Sequence, residues 1–242
     1  LVFVVLTVAL ALALWQKARD ELPYLLDPAA SPPARVSASD GLIAAMLFFI
    51  LQTLALLLLK DAAGATLAHV TIAFGSAGAL TYVLVRLVYW RSRTAGVPHI
   101  GPGRQPWRLG AAAALLAALV GIAYLAIVQA CGWPAARAPL AAGAGWDAAW
   151  LAGLALLAAP LCEEFIFRGL LQGGLRRSLP AWQAIAIGAA FFAIVHPPVS
   201  MLPVFVLGLC AGAAYERSGS LLAPMLAHAG YNAAILAFQL HA

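Results

Sequence analysis

Three short stretches in the last third of the chain carry polar side chains at spacings that could do chemistry, inside otherwise apolar surroundings. The first, residues 159–168 (APLCEEFIFR), puts Glu163, Glu164 and Arg168 at the end of an apolar helix. Glu164 and Arg168 stand four apart, so on a helix they share a face and form an ion pair; we read this pair as a structural bridge. Glu163 lies about 100° further round the same helix, which leaves it free for different work. The second stretch, 192–196 (FAIVH), begins with Phe192 and ends at His196, where Pro197 and Pro198 stop the helix. The third, 228–232 (HAGYN), sets His228 and Asn232 on one helical face through their i, i+4 spacing.

A carboxylate and an imidazole held together in a confined site can take a proton from water and later donate it to a leaving group. Hydrolysis of a peptide bond also needs donors aimed at the developing oxyanion, and a second imidazole with a carboxamide can supply them. On this reading Glu163 and His196 activate water, while His228 and Asn232 hold the oxyanion. No GxSxG elbow accompanies a matched Ser, His and Asp, which argues against a serine hydrolase. The HExxH pattern of zinc proteases is absent as well. Cys131, Cys162 and Cys210 each stand alone without metal-ligand spacing and are read as packed or lipid-facing thiols. Nothing near Cys162 would lower its pKa as a nucleophile requires. His69 is assigned a structural role, and His99 and His241 are read as loop or terminal residues.

The elements that must position these groups are set by composition. Of 242 residues, 64% are hydrophobic and 10% charged, and the mean hydropathy is +0.94, whereas a soluble domain carries roughly a quarter charged residues. A water-soluble fold is excluded, and an all-α membrane bundle of about eight transmembrane helices with an intramembrane cavity is expected. At about 20 residues per crossing, the candidates are 1–15, 40–59, 67–90, 109–131, 148–167, 182–196, 199–215 and 220–240. The first and sixth are short for a span. The chain starts with no basic segment before its first apolar run, so that run is expected to stay as a helix rather than act as a removable signal peptide. The one linker is 16–39, broken by Pro23, Pro28, Pro32 and Pro33. Two parts of one integral domain are expected, a variable helical part over 1–147 and a catalytic core over 148–242.

The formal charge of +5 does not point to nucleic acid, because the basic residues are spread through short loops rather than gathered on a face. Loops after odd-numbered spans hold Lys17, Arg19, Arg35, Arg91, Arg93, Arg104, Arg108, Arg176, Arg177 and Arg217, against only Lys60 and Arg137 after even ones. Retention of basic residues in the cytoplasm then places both termini outside. Ionisable groups at membrane depth are costly and tend to face a cavity or a functional partner, and a helix that ends there implies a protein-lined or water-filled space. Gly208 and Gly212 have GxxxG spacing, read as helix packing within the bundle rather than as a dimer motif.

EExxxR at 163–168, FxxxH at 192–196 and HxxxN at 228–232, in that order, resemble the three-part signature of the CAAX-protease and bacteriocin-processing family, also called Abi, which includes the prenyl-protein CAAX endopeptidase. The resemblance covers roughly the last 85 residues. It implies an intramembrane endopeptidase reached from the cytoplasmic side, with Glu163 and His196 positioning water, His228 and Asn232 forming the oxyanion hole, and Arg168 orienting Glu163 and Glu164. It also exposes a conflict: a sixth span running outward would carry His196 away from Glu163, so that segment is either re-entrant or misassigned.

Metal-independent glutamate catalysis is the preferred reading; if zinc is bound instead, Glu163, His196 and His228 are the candidate ligands with a position open for water. The expected partners are the lipid bilayer and a membrane-anchored or lipidated peptide or protein. The lack of an extra domain points to a bacterial cytoplasmic-membrane protein. Competing classes are a catalytically silent membrane peptide-binding or immunity module, disfavoured by the intact set of four site residues, and a small proton-relaying transporter, disfavoured because no inverted repeat is visible.

Overall fold

The computed structural model describes residues 8, 11–16, 19, 36–61, 64–88, 98, 100–132 and 146–241. The candidate first span falls within them only at residue 8 and residues 11–15, which are helical. Most of the 16–39 linker, with Lys17, Arg35, Arg91, Arg93, His99 and Arg137, lies outside the described residues.

The protein is all-α, with no β-strand among the described residues. Its main helices are α1 (Ala38–Leu59), α2 (Leu67–Val88), α3 (Pro106–Ala130), a long α4 (Trp146–Leu175), α5 (Ala181–Ile194), α6 (Met201–Ser218) and α7 (Leu222–His241). A capping box starts α1, where the Ser37 backbone N–H donates to Asp40 Oδ2 at 2.7 Å and Ser37 Oγ accepts from the Asp40 N–H at 3.4 Å. Pro106 begins α3, where its missing N–H costs nothing. Gly219 ends α6 in the left-handed region at φ 67°, a conformation that a Cβ would strain. Among the described residues five helices are long and apolar enough to cross a membrane: α1, α2, α3, α4, and α6 taken with its preceding 3-10 turn, Pro198–Ser218.

One end of the bundle gathers the basic residues. The Arg104 N–H donates to the Ser218 carbonyl at 2.8 Å, Arg176 pairs with Glu216 at 2.9 Å, Arg177 Nη1 donates to the Val36 carbonyl at 2.9 Å, and Ser220 Oγ donates to the Gly101 carbonyl at 2.6 Å. The starts of α1, α3, α5 and α7 and the ends of α4 and α6 therefore share this basic end. At the opposite end Thr71 Oγ1 donates to the Trp150 carbonyl at 3.1 Å and joins the first turns of α2 and α4.

Two expectations about the spans change. The fifth span does not stop at Phe167: α4 continues to Leu175, so Glu163, Glu164 and Arg168 stand inside a 30-residue helix rather than at its end. Hydropathy falls where the charges begin, but the charges neutralise each other inside the bundle and the helix carries on. Two stretches of α4, Leu154–Ala158 and Phe165–Gln172, are π-helical, a widening that recurs at functional sites.

The conflict over His196 also changes, with the sixth and seventh candidates present as α5 and α6 close to their expected bounds. α5 has 14 residues and so spans about 21 Å, short of a bilayer core of about 30 Å. It packs antiparallel on α6, and both outer ends of this hairpin lie at the basic end. Close approach is allowed by Gly208, where an added Cβ would sit 2.8 Å from the Ala189 Cβ. The tip, 195–200, holds His196 and carries no Lys or Arg. α5 ends beside the charged turn of α4, which brings His196 to the level of Phe192 and Arg168.

Candidate functional site

Glu164 and Arg168 lie one turn apart on α4 and are fully buried, at 0% and 1% exposure. Arg168 Nη1 donates to Glu164 Oε1 at 3.1 Å, and its Nε lies 3.1 Å from Oε2 as an ion-pair contact without hydrogen-bond geometry. One charge-assisted hydrogen bond and a second close charge contact offset part of the cost of burying both groups. The guanidinium also lies over the Phe192 ring, with Cζ 4.3 Å from its centroid, a cation–π contact strengthened by the absence of water. Phe192 in turn meets His196 edge-on at 4.9 Å and His228 at 5.6 Å between ring centroids. One aromatic ring thus ties α4, α5 and α7 at a common level.

His228 stands between the two carboxylates. Its Nδ1 is 2.8 Å from Glu164 Oε1, and its Nε2 faces Glu163 Oε2 at 3.9 Å. Glu163 Oε2, Glu164 Oε2 and Arg168 Nη2 are buried without a hydrogen-bond partner. Orphaned polar atoms are rare in folded proteins and call for an explanation where they occur.

His196 is half-buried at the hairpin tip, with Nδ1 2.7 Å from the Phe192 carbonyl. Asn232, one turn beyond His228 on α7, donates from Nδ2 to the Ala155 carbonyl at 2.7 Å, inside the first π stretch of α4. The site lies 11 residues from the end of α4, a rise of about 16 Å, roughly half the thickness of a bilayer core.

Of the residues singled out from sequence, Glu163, Glu164, Arg168, Phe192 and His228 therefore form one contact network, with His196 joined through Phe192. No hydrogen bond or ion pair joins Glu163 to His196, and His228 is held by Glu164 rather than by Asn232. Gln172 is a residue that sequence reasoning passed over. Buried at 1% exposure, it donates from Nε2 to the Gly212 carbonyl at 3.1 Å and fastens α6 to α4. Its signal was present: Glu164, Arg168 and Gln172 recur every four residues on one face.

Other assignments hold. Gly208 and Gly212 pack within the bundle, against Ala189 and against Gln172 and Ile185. His69 has a structural role at the start of α2, accepting the Thr66 N–H at Nδ1 while Thr66 Oγ1 accepts the His69 N–H, each at 3.3 Å. The three cysteines are free thiols. Among the described residues no group of three or more His, Cys, Asp or Glu side chains is arranged to hold a metal ion.

Beside the centre lies an apolar cavity of about 890 Å³, lined in part by Thr71, Gly78, Tyr82, Trp150, Cys162 and Phe165. Cys162 and Phe165 flank Glu163 and Glu164 in sequence. Met225, which also lines the cavity, is three residues before His228.

A bundle of long apolar helices around a buried carboxylate, guanidinium and imidazole cluster defines a class, the all-helical proteins whose helices are long and apolar enough to cross a membrane and enclose a charged centre. Within that class, residues 145–234 match the model of the family described as type II CAAX prenyl endopeptidase Rce1-like, and the resemblance carried by the three motifs is borne out over those residues. The match and the five apolar helices support an integral, multi-pass membrane protein. Comparison with curated proteins and with solved structures finds no match.

Proposed function

We propose that this chain is an intramembrane endopeptidase that hydrolyses a peptide bond of a membrane-associated, lipid-bearing peptide or protein with water activated by Glu163. The observation that carries the reading is the 3.9 Å separation between Glu163 Oε2 and His228 Nε2. A neutral His228 that donates from Nδ1 to Glu164 has a lone pair at Nε2, and an ionised Glu163 can only accept. Two facing acceptors are satisfied together by a donor with two hydrogens, which water is. Polar atoms separated by more than about 3.5 Å are where a bridging water belongs.

Glu163 takes a proton from this water as its oxygen bonds to the substrate carbonyl carbon. Asn232, with one amide hydrogen committed to Ala155, donates the other to the oxyanion. The proton then passes to the amine nitrogen as the C–N bond breaks. His196, whose Nδ1 is spent on the Phe192 carbonyl, presents Nε2 as the second proton carrier. Glu164 and Arg168 act behind the reacting groups by fixing the His228 ring. The apolar cavity beside Cys162 and Phe165 falls in the size range of ligand pockets and supports a substrate that carries a lipid chain, in keeping with the prenyl endopeptidases of the matched family.

The test is cleavage of membrane-anchored peptides in proteoliposomes. E163Q is expected to lose about 10²- to 10⁴-fold in kcat, the usual contribution of a general base, while staying folded. Full activity in that variant would remove Glu163 from the mechanism. Cleavage is expected to survive a strong chelator; loss on chelation with recovery on added zinc would replace this scheme by a metal-dependent one.

A further inference from the structure

A second concave surface lies on the outside of the bundle, between α3 and α6, away from the catalytic centre. It has a volume of about 450 Å³ and is lined by apolar side chains, among them Leu109, Leu116 and Val120 of α3 and Val206, Leu209 and Ala213 of α6, with Arg217 at one end. The lining follows matched helical steps. On α3 residues 109, 113, 116 and 120 face it, and on α6 residues 206, 210, 213 and 217 do. α3 leaves the basic end as α6 returns to it, so Leu109 and Arg217 mark the rim and Val120 and Val206 the deep end.

Eleven residues of helix from rim to deep end amount to about 16 Å, roughly half a hydrocarbon core of about 30 Å, the depth of one leaflet. At the rim Trp107 is 65% exposed, as expected of an aromatic residue at the membrane–water interface. Arg104, Arg108 and Arg217 are exposed there. Among the described residues no carboxylate pairs with any of the three, because the nearby Glu216 is taken by Arg176 at 2.9 Å. A leaflet-deep apolar groove beneath three unpaired guanidinium groups matches one kind of occupant.

We propose that the α3–α6 groove is a site for a membrane phospholipid with an anionic headgroup, one acyl chain lying along the groove and the phosphate held at its rim by Arg217, with Arg108 and Arg104. The other side of α6 is the one that Gln172 holds through the Gly212 carbonyl and that packs on α5 at Gly208. An occupied groove therefore braces the hairpin that carries Phe192 and His196. The proposal stands on this surface alone and is independent of whether the chain cleaves peptides.

The experiment is native mass spectrometry of the full-length protein released from mixed micelles of phosphatidylglycerol and phosphatidylcholine with identical chains. Retention of phosphatidylglycerol over phosphatidylcholine is expected. R217Q should weaken it about fivefold, the effect of one basic group near an anionic surface, while R217K keeps it. A213F, which fills the groove, should reduce retention with all three arginines intact. Equal retention of the two lipids, a preference that survives R108Q/R217Q, or an unchanged preference in A213F would each overturn the proposal. Should A213F fail to fold, the contrast between R217Q and R217K decides.

Discussion

Arg168 meets Glu164 with two nitrogens and Phe192 with the face of its guanidinium, so a single side chain joins the acids of α4 to the tip region of α5. Removing it leaves a buried carboxylate with the His228 imidazole as its one remaining close partner, a loss of up to about 3–5 kcal/mol. R168A is therefore expected to melt well below the wild type in detergent, and R168K, which keeps the charge but loses the second nitrogen contact and the stacking, to fall between them. Equal melting of R168K and wild type would mean that charge alone matters. For Asn232 the expectation concerns rate: N232A should lower kcat by about 10²- to 10³-fold, the cost of one oxyanion donor, with KM little changed. A large rise in KM at constant kcat would assign Asn232 to substrate binding. The pairing of Glu164 with Arg168 was legible from their spacing, because neighbours on one helix are fixed by its period. The attachment of His228 to Glu164 was not, since 64 residues separate them and their meeting depends on how α7 lies against α4.

At the scale of elements, the α5–α6 hairpin and the widened turns of α4 decide where the polar groups meet. Gly208 lets α5 and α6 approach closely, and a larger side chain must push the hairpin apart. G208L is expected to destabilise the protein by about 1–3 kcal/mol, a usual overpacking cost, and to lower cleavage more than it lowers expression, because His196 moves with α5. Unaltered activity in a well-folded G208L would show that the hairpin spacing does not set the position of His196. The apolar runs forecast most helices to within a few residues, since burial in lipid demands them. They misjudged the end of α4, the helix that carries the acids of the site. In α4 a neutralised ion pair allows a helix to continue where hydropathy falls, and in α5 a 14-residue helix ending inside the bundle has the composition of a full span but not its length.

For the molecule as a whole, the gathering of Arg104, Arg108, Arg176, Arg177 and Arg217 at one end reproduces the alternation of basic loops read from the sequence. That alternation was legible because charge bias is a property of loops and survives errors in the helices between them. In sealed vesicles, cysteines introduced at Ser178 and Glu216 of a protein lacking Cys131, Cys162 and Cys210 are expected to react with an impermeant maleimide from the same side, and one at Asp61 from the other. Labelling of the first two from opposite sides would refute the hairpin. Its geometry also bears on how the protein is made. A hairpin with both ends at the basic end needs no charge moved across the bilayer; it can enter as one uncharged wedge after α4 is in place. Until that happens Arg168 has no aromatic ring over it, and until α7 follows, Glu164 has no imidazole. The centre is completed only by α7, so a nascent chain interrupted before α7 carries the acids of α4 without the imidazole that meets them.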